Sequence, residues 1–386
     1  MSMSNVPKLR FKEFSGEWED KTLGDVGKVT MCKRIMKDQT LPSGDIPFYK
    51  IGTFGKIADA YISLELYQNF KKKYSYPKKS DILIAASGAT YGKTVVFDGS
   101  PSYFQDSNIV WIANEEKLVY NSFLNFIYKR VKWRIEESTI PRLYNGVISS
   151  TSLKIPTQPE QHKIASFLSA VDTKIDQLTR KKELLEQYKK GVMQKIFSKE
   201  LRFKADDGSE FTDWEEKKIS QIFEITRGNV LAVPKMSQER NDDFQYPVYS
   251  SQTKNKGLTG YFNEYLFEDC ITWTTDGANA GDANLRRGKF YCTNVCGVLK
   301  SDKGYANQFV AEILNSVTKK YVSYVGNPKL MNNTMGGIKI TIPSSIEEQV
   351  KIANFLSTID TKIDLVTKQL EEVKKFKKGL LQQMFV

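Results

Sequence analysis

Residues 87–94, Ser87-Gly88-Ala89-Thr90-Tyr91-Gly92-Lys93-Thr94, fall one residue short of the G-x-x-x-x-G-K-T pattern that cradles a nucleotide's phosphates. Ser87 stands where the leading glycine belongs, and Val95-Val96-Phe97 reads as a strand where the phosphate-facing helix should begin. ATP binding is therefore not expected. Cys292 and Cys296 lie four apart with no second pair and no nearby histidine, a poor zinc spacing, so they read as small core residues. The single histidine, His162, has no acid–base duplicate elsewhere and reads as a helix-surface or partner contact. No Asn-Pro-Pro-Tyr or Asp-Pro-Pro-Tyr tetrapeptide of an amino-methyltransferase occurs. The sequence thus assigns no catalytic residue, no metal and no cofactor.

Composition points to binding. The 386 residues suffice for two ordinary domains plus extra helix, with 40% hydrophobic and 12% aromatic content for real cores. Lys and Arg number 57 against 45 Asp and Glu, a formal charge of +12. Such an excess suits a phosphate-rich partner, because cationic side chains gain affinity by releasing counterions from nucleic acid. In that setting Lys93 reads as a phosphate or base contact. Met1 to Arg10 lacks the apolar core of a secretory signal, and no apolar run reaches the ~20 residues of a membrane span. Cys32, Cys270, Cys292 and Cys296 show no disulfide framework. A cytoplasmic protein is expected, with no membrane partner.

A repeat organises the chain. Glu160–Phe197 reads EQHKIASFLSAVDTKIDQLTRKKELLEQYKKGVMQKIF, and Glu348–Phe385 reads EQVKIANFLSTIDTKIDLVTKQLEEVKKFKKGLLQQMF. The two align without a gap, about half the positions identical. Each copy follows a short extended segment, Leu153-Lys154-Ile155-Pro156 or Ile340-Thr341-Ile342-Pro343. A fainter repeat pairs Leu9-Arg10-Phe11-Lys12, with Trp18 beyond it, with Leu201-Arg202-Phe203-Lys204 and Trp214. The order is arm, globular unit, helix, twice over.

The repeated stretches are predicted to be long helices. Ile164, Leu168, Val171, Ile175, Leu178 and Leu185, and again Ile352, Leu356, Ile359, Ile363, Val366, Leu370, Val373 and Leu380, step alternately by four and three. That is the 3.5-residue seam of a coiled coil. Lys182, Lys189 and Lys377 fall on the seam, where packing should loosen or the ammonium reach outward. Gly191 and Gly379 fall near the ends, and Pro159 sits where the first helix should start. Helix one delivers the chain to the second unit and helix two leaves it, so antiparallel packing is the simplest arrangement. Thirty-eight helical residues make a rod of roughly 57 Å. The expected fold class is α+β: two globular domains joined by two long antiparallel coiled-coil helices, pseudo-two-fold symmetric. The expected boundaries are 1–158 and 200–345 for the domains, and 159–199 and 346–386 for the helices.

Within the units, Ile46-Pro47-Phe48-Tyr49 matches Tyr246-Pro247-Val248-Tyr249 as a strand. Strand-like runs from Asp81 and from Asp269 each enter a Gly-Ala-x-x-Gly loop, 88–92 and 277–281. Glycine supplies positive φ there and lets neighbouring polar side chains project. Helical segments follow near Asn121–Glu137 and Ala306–Tyr324. The loops carry different chemistry. The first unit offers Lys50, Thr53, Lys71, Lys72, Lys73, Ser87, Thr90, Tyr91, Lys93, Asn108, Arg142, Tyr144 and Asn145. The second offers Ser250, Ser251, Gln252, Lys254, Asn255, Lys256, Asp276, Asn279, Arg286, Arg287, Asn294, Lys329, Asn332 and Asn333. Arg or Lys against guanine, Asn or Gln against adenine, and Asp against cytosine are the groups that read base edges.

Ile-Pro, then Glu-Gln-x-Lys-Ile-Ala-x-Phe-Leu-Ser and Asp-Thr-Lys-Ile-Asp, present twice around a Gly-Ala-loop domain, resembles the specificity subunit of type I restriction–modification systems. The resemblance covers nearly the whole chain. It implies that each globular unit is a target-recognition domain for one half of a split, asymmetric site in double-stranded DNA. It also implies that two methyltransferase (modification) subunits dock on the repeated helices and that motor/endonuclease (restriction) subunits join that core. Catalysis and cofactors would belong to those partners. Two other readings stay open at this level: a DNA methyltransferase or nuclease of unfamiliar sequence, and a coiled-coil scaffold.

Overall fold

In the computed structural model residues 5–135, 141–251 and 254–386 are described, Lys254 through its backbone alone. The chain divides into two units, Met1–Thr179 with Gln369–Val386, and Arg180–Lys368. Each unit therefore takes one part of each long helix. These helices span Gln158–Phe197 and Ile346–Gln383, and both continue through Gly191 and Gly379. Pro159 lies inside the first turn rather than before it, where its missing N–H costs nothing. No helix among the described residues is long and apolar enough to cross a membrane.

The first unit contains β1 (Glu19–Thr22), β2 (Gly27–Met31), β3 (Ile46–Tyr49), β4 (Tyr61–Ile62), β5 (Ile82–Ala85), β6 (Thr94–Val96), β7 (Tyr103–Phe104), β8 (Ile109–Asn114) and β9 (Ser152–Ile155). They form sheets ordered β2-β8-β5-β6, β4-β3-β7 and β1-β9. The period of two decides which core each residue joins. On β5, Ile82 and Ile84 join one core and Leu83 and Ala85 another; on β8, Val110 and Ile112 join the first, Ile109 and Trp111 the second. Strands buried on both faces read as unbroken apolar runs, as these do. The first core also holds Ile164, Ala165 and Leu168 from the start of one long helix, Leu380 from the end of the other, and Met384 just past it. The two segments thus run antiparallel within this unit.

The second unit contains β10 (Trp214–Lys218), β11 (Glu224–Arg227), β12 (Tyr246–Tyr249), β13 (Leu258–Phe262), β14 (Phe267–Thr274), β15 (Ala283–Cys292), β16 (Cys296–Lys300) and β17 (Lys339–Pro343). Six of them make one sheet, β11-β16-β14-β15-β12-β13, and β10 pairs with β17. Trp273 on β14 lies opposite Gly297 on β16, and a Cβ at Gly297 would sit 2.1 Å from the indole. Glycine there lets the ring lie flat across the neighbouring strand. Trp273 joins a core with Val192, Ile196, Ile352 and Leu356 from the two long helices. The parallel pairing of β12 with β15 reproduces that of β3 with β7. The units part company between β4 and β5, where the first inserts the helix Leu64–Lys73, while residues 263–266 alone join β13 to β14.

The repeated sequence motif is an anchor. Gln161 Nε2 donates to Pro156 O and to Leu118 O, both at 2.9 Å, and Gln349 Nε2 donates to Pro343 O at 2.8 Å. Glu160 and Glu348 are fully buried, held by the arms: Arg10 Nη2 reaches Glu160 Oε2 at 2.7 Å and Arg202 Nη2 reaches Glu348 Oε2 at 2.9 Å. Fork-on-carboxylate pairs of this kind are strong and directional. Phe11 packs edge-on to Phe167, and Phe203 to Phe355. The helix starts and the arms therefore clamp one another.

Three sequence expectations are corrected. The helix after β8 ends at Tyr128, with Glu137 outside the described residues, and its counterpart spans Gln308–Val317 followed by the short turn Thr318–Tyr321. Lys189 and Lys377 neither loosen the seam nor reach outward. Lys189 bonds Asp360 and Glu312, and Lys377 bonds Asp172, so each seam ammonium is matched by a carboxylate. Lys182 stays half-buried beside Glu186, 3.8 Å away.

Candidate nucleic-acid interface

Each Gly-Ala-x-x-Gly loop is a tight reversal between two antiparallel strands. Gly88 and Gly92 take φ of 73° and 76°, and Gly277 and Gly281 take 92° and 89°, conformations that strain a side-chain-bearing residue. The backbone bonds repeat as well. Gly92 N donates to Ala85 O and Gly281 N to Thr274 O, both at 2.8 Å. Gly88 N donates to Pro141 O at 3.0 Å and Gly277 N to Pro328 O at 2.9 Å, while Leu143 N reaches Ala86 O and Leu330 N reaches Thr275 O. The segments Pro141-Arg142-Leu143-Tyr144-Asn145 and Pro328-Lys329-Leu330-Met331-Asn332 are thereby laid along the two loops. Neither sequence segment resembles a glycine loop, yet each forms half of one cluster.

In the first unit this frame gathers Ser87, Thr90, Asn108, Arg142, Tyr144 and Asn145. Ser87 Oγ donates to Asn108 Oδ1 at 2.6 Å, and Ser87 pairs with Arg142 through backbone. The Arg142 guanidinium lies 5.8 Å from the centre of the Tyr144 ring, which is 47% exposed. Thr90 and Asn145 are exposed, whereas Tyr91 leans on the core. Lys50 and Thr53 sit in the adjoining turn, tied to the cluster where Gln105 Oε1 accepts from Ile51 N at 2.9 Å. Lys50 also pairs with Asp59, and Thr53 Oγ1 bonds the Lys50 backbone. Lys93 donates to Phe54 O at 2.9 Å as its chain enters β6. Lys93 is exposed, and an ammonium carries three donors, so this one bond leaves it further donors. Lys71, Lys72 and Lys73 are not part of the cluster. They close the inserted helix, and Lys71 lines a depression with Lys78, Lys79 and Asp98 at the start of β5, the end away from Gly88. Its ammonium lies 4.9 Å from the Tyr76 ring centre.

In the second unit the frame gathers Ser250, Asp276, Asn279, Asn294, Lys329 and Asn332. Lys329 Nζ lies 3.7 Å from Asp276 Oδ1 and the two residues pair through backbone. Thr293 Oγ1 and Ser250 Oγ are bonded at 2.9 Å, and Asn294 is exposed at the tip of that turn. Ser251 is half-buried beside it, and Asn333 is exposed in the helix that Asn332 begins. Asn255 and Lys256 are exposed with φ of 51° and 52°. Gln252 and the Lys254 side chain lie outside the described residues. Arg286 is corrected from reader to support. It is 6% exposed, with Nε donating to Thr272 Oγ1 at 2.9 Å, Nη2 to Lys256 O at 2.7 Å, and the guanidinium 3.7 Å from the Tyr249 ring centre. Burial lowers its pKa, and its fork is spent holding the 254–257 turn. Arg287 is exposed opposite the irregularity at Glu268–Cys270, away from the Gly277–Gly281 turn.

Arg34 was not singled out from sequence, yet its Nε bonds Asp106 Oδ2 at 2.8 Å, two residues from Asn108, and it is exposed. The available signal was its place just beyond β2. Arg227 was missed for the same reason, at the end of β11. The cluster holds donors and acceptors suited to base edges and phosphates. Among the described residues no group of three or more His, Cys, Asp and Glu stands ready for a metal, and His162 is exposed on the first long helix.

The family model for the type I restriction modification DNA specificity domain matches residues 15–187 and 212–375. The chain belongs to this family. Among relatives, the chain is 61% identical over 158 residues to a putative type I restriction enzyme specificity subunit of Haemophilus influenzae; the match covers 41% of each chain. A second, from Methanocaldococcus jannaschii, is 25% identical over 413 residues, covering 98% of this chain and 95% of the relative. The crystal structure of the type I S subunit from M. genitalium shares the fold, with a TM-score of 0.70 at 17% identity over 99% of both chains.

Proposed function

We propose that this specificity subunit reads a bipartite, asymmetric site in double-stranded DNA, one half through the recognition domain 1–158 and the other through 200–345. The spacer helices 159–199 and 346–386 set the gap between the halves. They also dock two methyltransferase subunits, around which motor–endonuclease subunits assemble in the cytoplasm. The chain itself performs no chemistry. The observation that carries this reading is one loop frame built twice with different side chains: Ser87, Asn108 and Arg142 in one copy, Asp276, Asn294 and Lys329 in the other. A shared backbone with divergent donors and acceptors is what reading two different sequences requires. Docking is supported by Tyr188 and Phe376, which are repeat equivalents and each 54% exposed, since exposed aromatic side chains favour interfaces.

The test exchanges residues 26–151 for the corresponding unit of another family member and maps modified adenines across the genome of cells carrying the assembled complex. One half-site changes and the other is kept. A change in both halves, or in neither, refutes the assignment. Turnover of DNA or ATP by the purified subunit alone, lost on mutating its own residues, refutes the non-catalytic role.

A further inference from the structure

Arg227 ends β11 at the loop cluster of the second unit, pairing through backbone with Gly297. The next two residues are fastened to the same turn, Gly228 N to Cys296 O at 3.0 Å and Asn229 N to Cys292 O at 3.1 Å. Its guanidinium differs from those of Arg10, Arg202 and Arg286, each of which has acceptors. Arg227 Nε is buried and meets no acceptor among the described residues. Asn332, bonded to the residue before it, donates Nδ2 to Thr226 O at 3.4 Å and leaves its buried Oδ1 likewise unmet. Leaving such groups unpaired is unfavourable, and proteins keep nearly all buried polar atoms satisfied. Two unmet groups on neighbouring segments, the donor Nε of Arg227 and the acceptor Oδ1 of Asn332, point to a ligand at this end of β11.

We propose that Arg227 and Asn332 together read one G·C base pair in the second half-site. Guanine presents O6 and N7 to a guanidinium fork, and cytosine presents its N4 amino group to the Asn332 oxygen. The inference rests on the DNA-reading function proposed above and adds the residues and the base pair. The first unit supplies the contrast: Met31 stands at the end of β2, paired with Val110, where Arg227 stands at the end of β11, and Asn145 is exposed where Asn332 is half-buried. The two units thus differ in chemistry at one point of a common frame.

The experiment maps modified adenines for the complete methyltransferase complex carrying the wild-type chain, R227M, R227K or N332A. R227M places the first unit's own residue type in the frame, and R227K keeps the charge while removing the fork. Expected is an unchanged first half-site and a second half-site relaxed at a single G·C position, discrimination there falling roughly 5- to 150-fold. R227K and N332A relax that same position, so an R227M chain that fails to fold or assemble leaves the inference open to refutation. A second half-site without a G·C pair, or an unaltered motif in all three variants, overturns it. So does uniform loss across all sites with a shallower salt dependence, the signature of a phosphate contact. A wild-type complex that modifies no bipartite motif refutes the parent reading instead.

Discussion

Lys189 Nζ lies 2.8 Å from Asp360 Oδ1, joining the two long helices within the second unit, and Glu312 Oε1 lies 2.6 Å from the same ammonium. The repeat reproduces the pair in the first unit, where Lys377 bonds Asp172. Burial opposes the charged Lys189, but its bonds to Asp360 and Glu312 prevail and its pKa is raised. An apolar seam tolerates slippage by a turn, whereas a single polar match within it selects one register. K189M leaves two carboxylates facing each other with no cation between them. It should destabilise the second unit by about 2 kcal/mol, below the several kcal/mol of a fully buried pair because Asp360 is 28% exposed. Adding E312Q and D360N should recover most of the loss in urea unfolding. Equal stability of K189M and wild type would refute the register role.

The same pairs dictate how the spacer can be lengthened. Equal numbers of residues separate Asp172 from Lys189 and Asp360 from Lys377. Four residues inserted after Glu183 alone break that equality, and the prediction is a poorly assembled complex. Insertion after both Glu183 and its equivalent Glu371 restores it. Four helical residues add about 6 Å and a net rotation near 40°, against ~3.4 Å and roughly 34° for one base pair. The doubly extended subunit should modify sites whose spacer is one or two base pairs longer, both half-sites unchanged. Modification at the original spacing alone would sink the ruler.

Tyr188 and Phe376 offer a test of docking. Replacing one by Ser should weaken attachment of a single methyltransferase subunit, by about 2 kcal/mol if the ring is a main anchor. The mass of the purified complex should then fall by one such subunit on dilution, and the double variant should release both. Full retention in the double variant would place docking elsewhere.

The four cysteines are buried and free. Burial pushes the Cys32 thiol up to about 12 and Cys296 to about 11, and raises Cys270 and Cys292 as well. The reactive species is the thiolate, so at pH 8 a thiol of pKa 11 is ionised in roughly one molecule in a thousand. Iodoacetamide at pH 8 should leave the native protein unlabelled over minutes and modify all four sites after unfolding. Rapid labelling of Cys292 or Cys296 in the folded protein would contradict the packing around Arg286.

Much of the architecture is local information. The 3.5-residue seam marks Ile164 and Leu356 for burial because helix geometry alone brings such positions to one face, and the alternation along Ile82–Ala85 divides two cores for the corresponding reason in strands. The duplicated Glu-Gln motif and the Gly-Ala-x-x-Gly loops announce a repeated frame, since φ near +75° at Gly88 and Gly92 needs residues of that type. Polar partners are a different matter. Lys93 meets Phe54 O, Arg286 enters a core between Thr272 and Tyr249, Lys71 ends at the far end of β5, and Arg227 Nε and Asn332 Oδ1 are left unmet. Each depends on which distant segment the folded chain delivers to within about 3 Å of a flexible side chain. The sequence by itself determined two units, two long helices and a basic net charge. Only tertiary structure decided which cations are spent on the fold, because periodicity reports burial along one element while hydrogen-bond partnership is a property of two.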